Sequence, residues 1–204
     1  MPPTANTPSE PLRSSRHSPQ NLLPGNPTGQ TDGQHLLDVG GASGTWTLAF
    51  LRAVPECKAT IFDLPTTQPF AEATLQRFAL ADRIDFAAGD FLAGPLPGGF
   101  DVAWLSHVLH GEGPAGCSTL LANAFAALEP GGWFLSKTVC LGGGAGLMLR
   151  PVILAMQLLG KAPALAYVSR ADLQRAITRA GFEIVETGDY PRRPPMHFIA
   201  ARRL

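Results

Sequence analysis

Two linked segments constrain this 204-residue chain most: Leu36-Leu37-Asp38-Val39-Gly40-Gly41-Ala42-Ser43-Gly44 and then Ile61-Phe62-Asp63-Leu64-Pro65. The apolar run into Asp38 reads as a strand buried on both faces of a parallel sheet, and the small residues after it as a tight turn into a helix. A turn of Gly and Ala lets backbone N–H groups approach a ligand closely, and the helix that follows aims its positive end at the same place. Asp63 then ends the next strand, about where doubly wound folds place an acid for ribose hydroxyls. Together the two segments imply a nucleoside-type cofactor.

Spacing separates the candidate cofactors. The dinucleotide pattern G-x-G-x-x-G/A gives Gly40, Ala42 and Thr45 from one start, and Gly41, Ser43 and Trp46 from the other. Both fail at the last position, where a small residue is needed for helix–strand packing. Read as acid-x-G-x-G/A-x-G, the segment fits at Asp38, Gly40, Ala42 and Gly44. That is the form found in S-adenosylmethionine (SAM) methyltransferases. An NAD-dependent oxidoreductase of the same fold is the rival.

Composition narrows the partners. Lys+Arg and Asp+Glu both number 16, so no net field favours nucleic acid or an anionic membrane. No stretch reaches the roughly 18 apolar residues of a membrane span. The nearest, Gly142 to Gly160, is interrupted by Arg150 and Pro151. Cys57, Cys117 and Cys140 lack C-x-x-C or metal-ligand spacing, so the expectation is free thiols in a reducing cytoplasm and no metal. Residues 1–34 are rich in Pro, Ser, Thr, Asn, Gln and Gly without periodicity, which predicts a disordered tail.

From His35 onward strand and helix patterns alternate. Strands are expected at 35–40, 58–63, 83–88, 100–106, 132–139, 183–188 and 196–202, and helices at 45–54, 66–79, 115–129, 147–159 and 170–180. Ser169 with Asp172 resembles a capping box, and Gly181 a C-terminal stop. The alternation predicts a three-layer, Rossmann-like α/β fold with a mainly parallel seven-stranded sheet. The last two strands are joined by a link too short for a crossover and are therefore antiparallel neighbours.

Five ordered segments carry a resemblance over about residues 35–204. They are Leu37-Asp38-Val39-Gly40-Gly41, Phe62-Asp63-Leu64-Pro65, Gly89-Asp90-Phe91, Leu105-Ser106-His107-Val108-Leu109-His110 and Leu128-Glu129-Pro130-Gly131-Gly132. In these the chain resembles the small-molecule O-methyltransferases that include caffeic acid and hydroxyindole methyltransferases. The resemblance implies the class I SAM methyltransferase fold, strand order 3-2-1-4-5-7-6 with strand 7 antiparallel, and SAM as cofactor. It places Gly40 and Gly41 under the methionine end, with Asp38 and Ser106 in the same cofactor set. Asp63 falls on the ribose, Asp90 on the adenine amino group, and Leu64 and Phe91 on the adenine faces. It makes His110 the general base that takes a proton from a phenolic hydroxyl of a small aromatic substrate, and it leaves His107 as core or rim. Met148 and Met156, on the apolar helix 147–159, line the substrate side.

The chain also departs from that family. The positions that usually hold acids to orient the histidine are Thr138 and Tyr167 here, and Glu112 is the nearest substitute. A base without an orienting partner is free to take the wrong tautomer, which limits a contribution typically about 10²–10⁴-fold. Altered chemistry (decarboxylation or hydroxylation) and a non-catalytic SAM-binding or regulatory module therefore stand as alternatives. Relatives carry a helical N-terminal domain that builds the dimer and covers the pocket. The expectation is that this domain is absent, so that helix 147–159 becomes a surface for self-association or for a partner protein.

Overall fold

Why the chain folds as a layered sandwich is visible strand by strand in a computed structural model that describes residues 33–78, 80–140, 169–190 and 196–204. The first half carries β1 (His35–Val39), α1 (Thr45–Ala53), β2 (Lys58–Asp63), α2 (Gln68–Phe78) and β3 (Ile84–Ala88). The second half carries β4 (Phe100–Ser106), α3 (Gly113–Ala127), β5 (Leu128–Val139), α4 (Arg170–Arg179), β6 (Phe182–Tyr190) and β7 (Met196–Arg203). One sheet holds all seven strands in the order β3-β2-β1-β4-β5-β7-β6. The first five are parallel to one another, and β7 runs antiparallel to both β5 and β6. The expected fold and strand order are both present.

Alternation along each strand builds the two outer layers. Leu37, Val39, Ala103, Leu105 and Phe134 pack on one face with α3 and α4, through Cys117, Leu120, Leu121, Leu173 and Ile177. Leu36, Val102, Trp104 and Leu135 pack on the other with α1 and α2, through Leu48, Leu51, Ala71 and Leu75. Each large side chain fully withdrawn from water is worth about 1.5–3 kcal/mol. Trp104 is the bulkiest of them, and its ring meets Phe50 edge-on with centroids 5.2 Å apart.

Two of the boundary differences from the sequence reading have a physical reason. The helix expected over 115–129 ends at Ala127, because Leu128 already pairs with Phe100 as part of β5, which was expected to begin at 132. Gly131 has φ +81, and a side chain on Gly132 would meet the Glu129 carbonyl oxygen at 2.8 Å, so this turn requires its glycines. The helix expected over 66–79 opens as a 3₁₀ turn at Pro65–Thr67 before α2 starts. The Ser169 cap forms as expected, its hydroxyl accepting from the Asp172 N–H at 3.2 Å. Residues 1–32 of the expected tail, helix 147–159 with Met148 and Met156, and Tyr167 lie outside the described residues. No helix among the described residues is long and apolar enough to cross a membrane.

Candidate active site

Strand order alone creates a crevice. Connections from β1 and β4 leave in opposite directions across the sheet, so the carboxyl ends of these neighbouring strands open a cleft at the point where the order reverses. The β1–α1 loop lines it with backbone. Gly40, Ala42 and Gly44 have φ of +70, +47 and +72 in alternation. A side chain on Gly40 would lie 2.7 Å from Val108 Cγ2, and one on Gly41 would lie 2.8 Å from Asp38 Cγ. The loop is therefore a cradle built to be bare.

Two carboxylates hold the cradle. Asp38 is buried beneath it and accepts from the Thr47 hydroxyl at 2.6 Å. Burial, opposed by its bonds from Thr47, pushes the Asp38 carboxyl up to about 6. Asp38 therefore supports the loop from below instead of facing the cleft. Asp63, at the end of β2, accepts from the Ala42 N–H at 2.8 Å with Oδ2 and from the Leu64 N–H at 2.7 Å with Oδ1. A carboxylate has about four lone-pair sites, so two remain for a ligand. Leu64 is exposed beside it, at 47%. At the end of β3, Asp90 is exposed and uses Oδ1 to accept from the Leu92 N–H at 2.8 Å, while Phe91 packs half-buried against the core. Ser106, at the end of β4, has a buried hydroxyl oxygen without a hydrogen-bond partner.

His110 sits beyond β4 in a 3₁₀ turn, Leu109–Gly111. The buried thiol of Cys117 on α3 fixes that turn by donating to the Leu109 carbonyl at 2.9 Å. The turn folds His110 back over β5, where its Nδ1 lies 3.3 Å from the hydroxyl oxygen of buried Thr138. The histidine thus has an orienting partner, contrary to the expectation from its missing acid. Among the described residues Glu112 makes no hydrogen bond to His110, and burial and the charge of Asp90 push its carboxyl up. Burial also lowers the His110 imidazole from its ordinary 6.5. His107 is exposed with φ +62, and its ring stands edge-on to His110 at 5.8 Å, which makes it rim. The three cysteines are buried free thiols, each pushed up to about 11 chiefly by burial, which removes them as nucleophiles.

Thr47 and Val108 are parts of the cradle that the sequence reading passed over. Thr47 is one of two hydroxyls, with Thr45, in the first turn of a largely apolar helix, and the pattern alone does not say which of them meets Asp38. Val108, beneath Gly40, carried no signal beyond its place in an apolar run.

A bare loop at a switch point, an acid at the next strand end and a second acid one strand further define a Rossmann-like domain for an adenosyl-type cofactor. The O-methyltransferase domain model matches residues 31–183, three quarters of the sequence, and the chain belongs to that family. It is similar to the tetracenomycin polyketide synthesis 8-O-methyl transferase TcmO of Streptomyces glaucescens, with 38% identity over 102 residues, 50% of this chain and 30% of that protein. It is similar also to the aclacinomycin 10-hydroxylase RdmB of Streptomyces purpurascens, 40% identical over 105 residues, 50% of this chain and 27% of that protein. A solved O-methyltransferase family 2 protein from Planctomyces limnophilus, in complex with apigenin, superposes with a TM-score of 0.75 at 29% identity, covering 91% of this chain and 55% of that one. NcsB1 from neocarzinostatin biosynthesis, solved with SAM and 2-hydroxy-5-methyl naphthoic acid, superposes at 0.69 with 26% identity, covering 83% and 49%. The fold is the class I SAM methyltransferase fold, and SAM is the cofactor of the family. The chain spans about half or less of the length of these relatives.

Proposed function

We propose that residues 35–204 form the cofactor-binding and catalytic part of a SAM-dependent O-methyltransferase that acts on a phenolic hydroxyl of a small aromatic molecule. The observation that carries the reading is His110 held by Thr138 through Nδ1, two residues beyond the Val108 that underlies Gly40 of the cradle. That contact leaves Nε2 without a hydrogen bond among the described residues and so available to a substrate hydroxyl.

The cradle fits SAM on its own chemistry. Gly40 and Gly41 leave room for the methionine end, the spare lone pairs of Asp63 suit two ribose hydroxyls, and the unpartnered Ser106 hydroxyl offers a further polar contact. Asp90 would accept from the adenine amino group, between Leu64 and Phe91. When bound, SAM supplies a methyl group already activated by a positive sulfur. His110, neutral near pH 7, accepts the phenolic proton at Nε2 as the oxygen becomes nucleophilic. Orientation of the two reactants can contribute about 7–11 kcal/mol, more than the base itself. The ligands of the solved relatives, apigenin and 2-hydroxy-5-methyl naphthoic acid, support an aromatic substrate.

Titration calorimetry with SAM, its demethylated product and NAD tests the cofactor. SAM should bind, and Asp63→Ala should weaken it by about 100-fold, since each hydrogen bond to a charged group is worth about 1.5–3 kcal/mol. Binding of NAD alone would overturn the reading. Radiolabelled SAM with a panel of flavones and hydroxynaphthoates tests the reaction, and His110→Ala should lose about 10²-fold or more.

A second reading keeps the SAM site but changes the chemistry. Its support is the neutral Thr138 where an acid is expected, together with similarity to a protein named as a hydroxylase. Product mass separates the two, because one reaction adds a methyl group and the other an oxygen.

A further inference from the structure

Behind Thr138 lies a polar ladder that the proposed mechanism does not yet use. Thr138 on β5 stands directly opposite His197 on β7, which in turn stands opposite Asp189 on β6. Facing residues on antiparallel strands put their side chains on one side of the sheet, with Cβ atoms about 4.5–5.5 Å apart. His197 is 4% exposed, and its Nδ1 lies 3.0 Å from Asp189 Oδ1. The other oxygen of Asp189 is held by Arg170 at 2.7 Å. The remaining ring nitrogen of His197, Nε2, is buried without a partner.

Donor counting gives the ladder a direction. Asp189 only accepts, so the neutral His197 ring carries its proton on Nδ1 and presents a lone pair at Nε2. His110 can serve as a base at Nε2 only if its own Nδ1 carries a proton and donates to Thr138. The Thr138 hydroxyl then has its own proton to donate, and the strand pairing sets His197 directly opposite it. We propose that His197 and Asp189 are positioning residues that act through Thr138, the last link closing by a small side-chain shift that brings the Thr138 hydroxyl to the unpartnered His197 Nε2, to hold His110 in the Nδ1-protonated tautomer. The missing acid is thereby replaced by a carboxylate two strands away. This assignment rests on His110 as the base.

The test uses the 204-residue chain labelled with ¹⁵N-histidine, whose imidazole shifts report tautomers without cofactor or turnover. In the wild type, neutral His110 should be protonated at Nδ1. His197→Leu should convert it to a mixture of tautomers and lower kcat about tenfold, the factor for one lost hydrogen bond, with KM and SAM affinity unchanged. His197→Gln should restore both readouts, because its amide N–H₂ can serve Asp189 while its carbonyl accepts from Thr138. Asp189→Ala, at a half-exposed position, removes the acceptor for Nδ1–H and gives the same spectroscopic test should His197→Leu fail to fold. A wild-type His110 protonated at Nε2, or a tautomer that neither variant alters, would overturn the proposal. Failure of the base reading is seen separately, as full activity in His110→Ala.

Discussion

Thr138 Oγ1 lies 3.3 Å from His110 Nδ1, so a neutral hydroxyl on β5 holds the ring that the resemblance assigns to an acid's care. A hydroxyl can accept from Nδ1–H, but it adds no negative charge to stabilise an imidazolium. Thr138→Val keeps the shape of the site and removes the contact. Its kcat should fall up to about tenfold, the upper range for one neutral hydrogen bond, with SAM affinity unchanged by calorimetry. An unchanged kcat would mean that His110 is fixed by something else.

The same ring sets the acid limb of the pH profile. Burial lowers the His110 imidazole from 6.5, and only the neutral ring accepts a proton. The rate should therefore rise with pH to a plateau, with its midpoint below 6.5. His110→Ala should lose that limb along with most of the rate. A midpoint above 6.5 in the wild type would show that the limb belongs to another group.

How much of this was legible follows from the range over which each feature acts. The strand run Leu36–Val39, the bare turn after it and Asp63 at the end of β2 are local patterns, and they appear where their spacing put them. Asp38 counted as a cofactor contact because it shares the motif, yet it points beneath the loop to Thr47. Only the pleat and the start of α1 decide that direction. The His110–Thr138 contact joins residues 28 apart through a 3₁₀ turn that a motif does not encode. In the sequence Thr138 stands as an acid lost; in the fold it is a hydroxyl in place. The ladder to His197 depends on the register of β7 against β5, which no local pattern sets.

Gly40 should be intolerant of any side chain. Its φ of +70 costs a non-glycine residue about 1–2 kcal/mol, and the new Cβ would meet Val108 at 2.7 Å. At about 2–4 °C of melting temperature per kcal/mol for a domain of this size, Gly40→Ala should lower Tm by roughly 4–10 °C. Adding Val108→Ala removes the collision but not the backbone cost, so it should recover only part of the loss. Gly94→Ala is the control, since nothing lies within 4 Å of its Cβ position. Equal melting temperatures for Gly40→Ala and Gly94→Ala would refute the cradle geometry.

Asp38 makes the support of the loop dependent on pH. Its folded carboxyl is raised to about 6 from an ordinary 3.8, chiefly by burial, so the native state holds this proton more tightly than the unfolded chain does. The stabilisation is complete below 3.8 and is lost as pH rises through about 6. A difference of about two pH units corresponds to roughly 3 kcal/mol. Asp38→Asn keeps an acceptor for Thr47 and cannot ionise, so it escapes the loss. Urea unfolding at pH 4 and pH 7 should show Asp38→Asn gaining about 2.5 kcal/mol on the wild type between the two, whatever its offset at either one. Curves that stay parallel, or a wild type that gains on the variant as pH rises, would place the Asp38 carboxylate in a far more favourable setting than the buried bond to Thr47 provides.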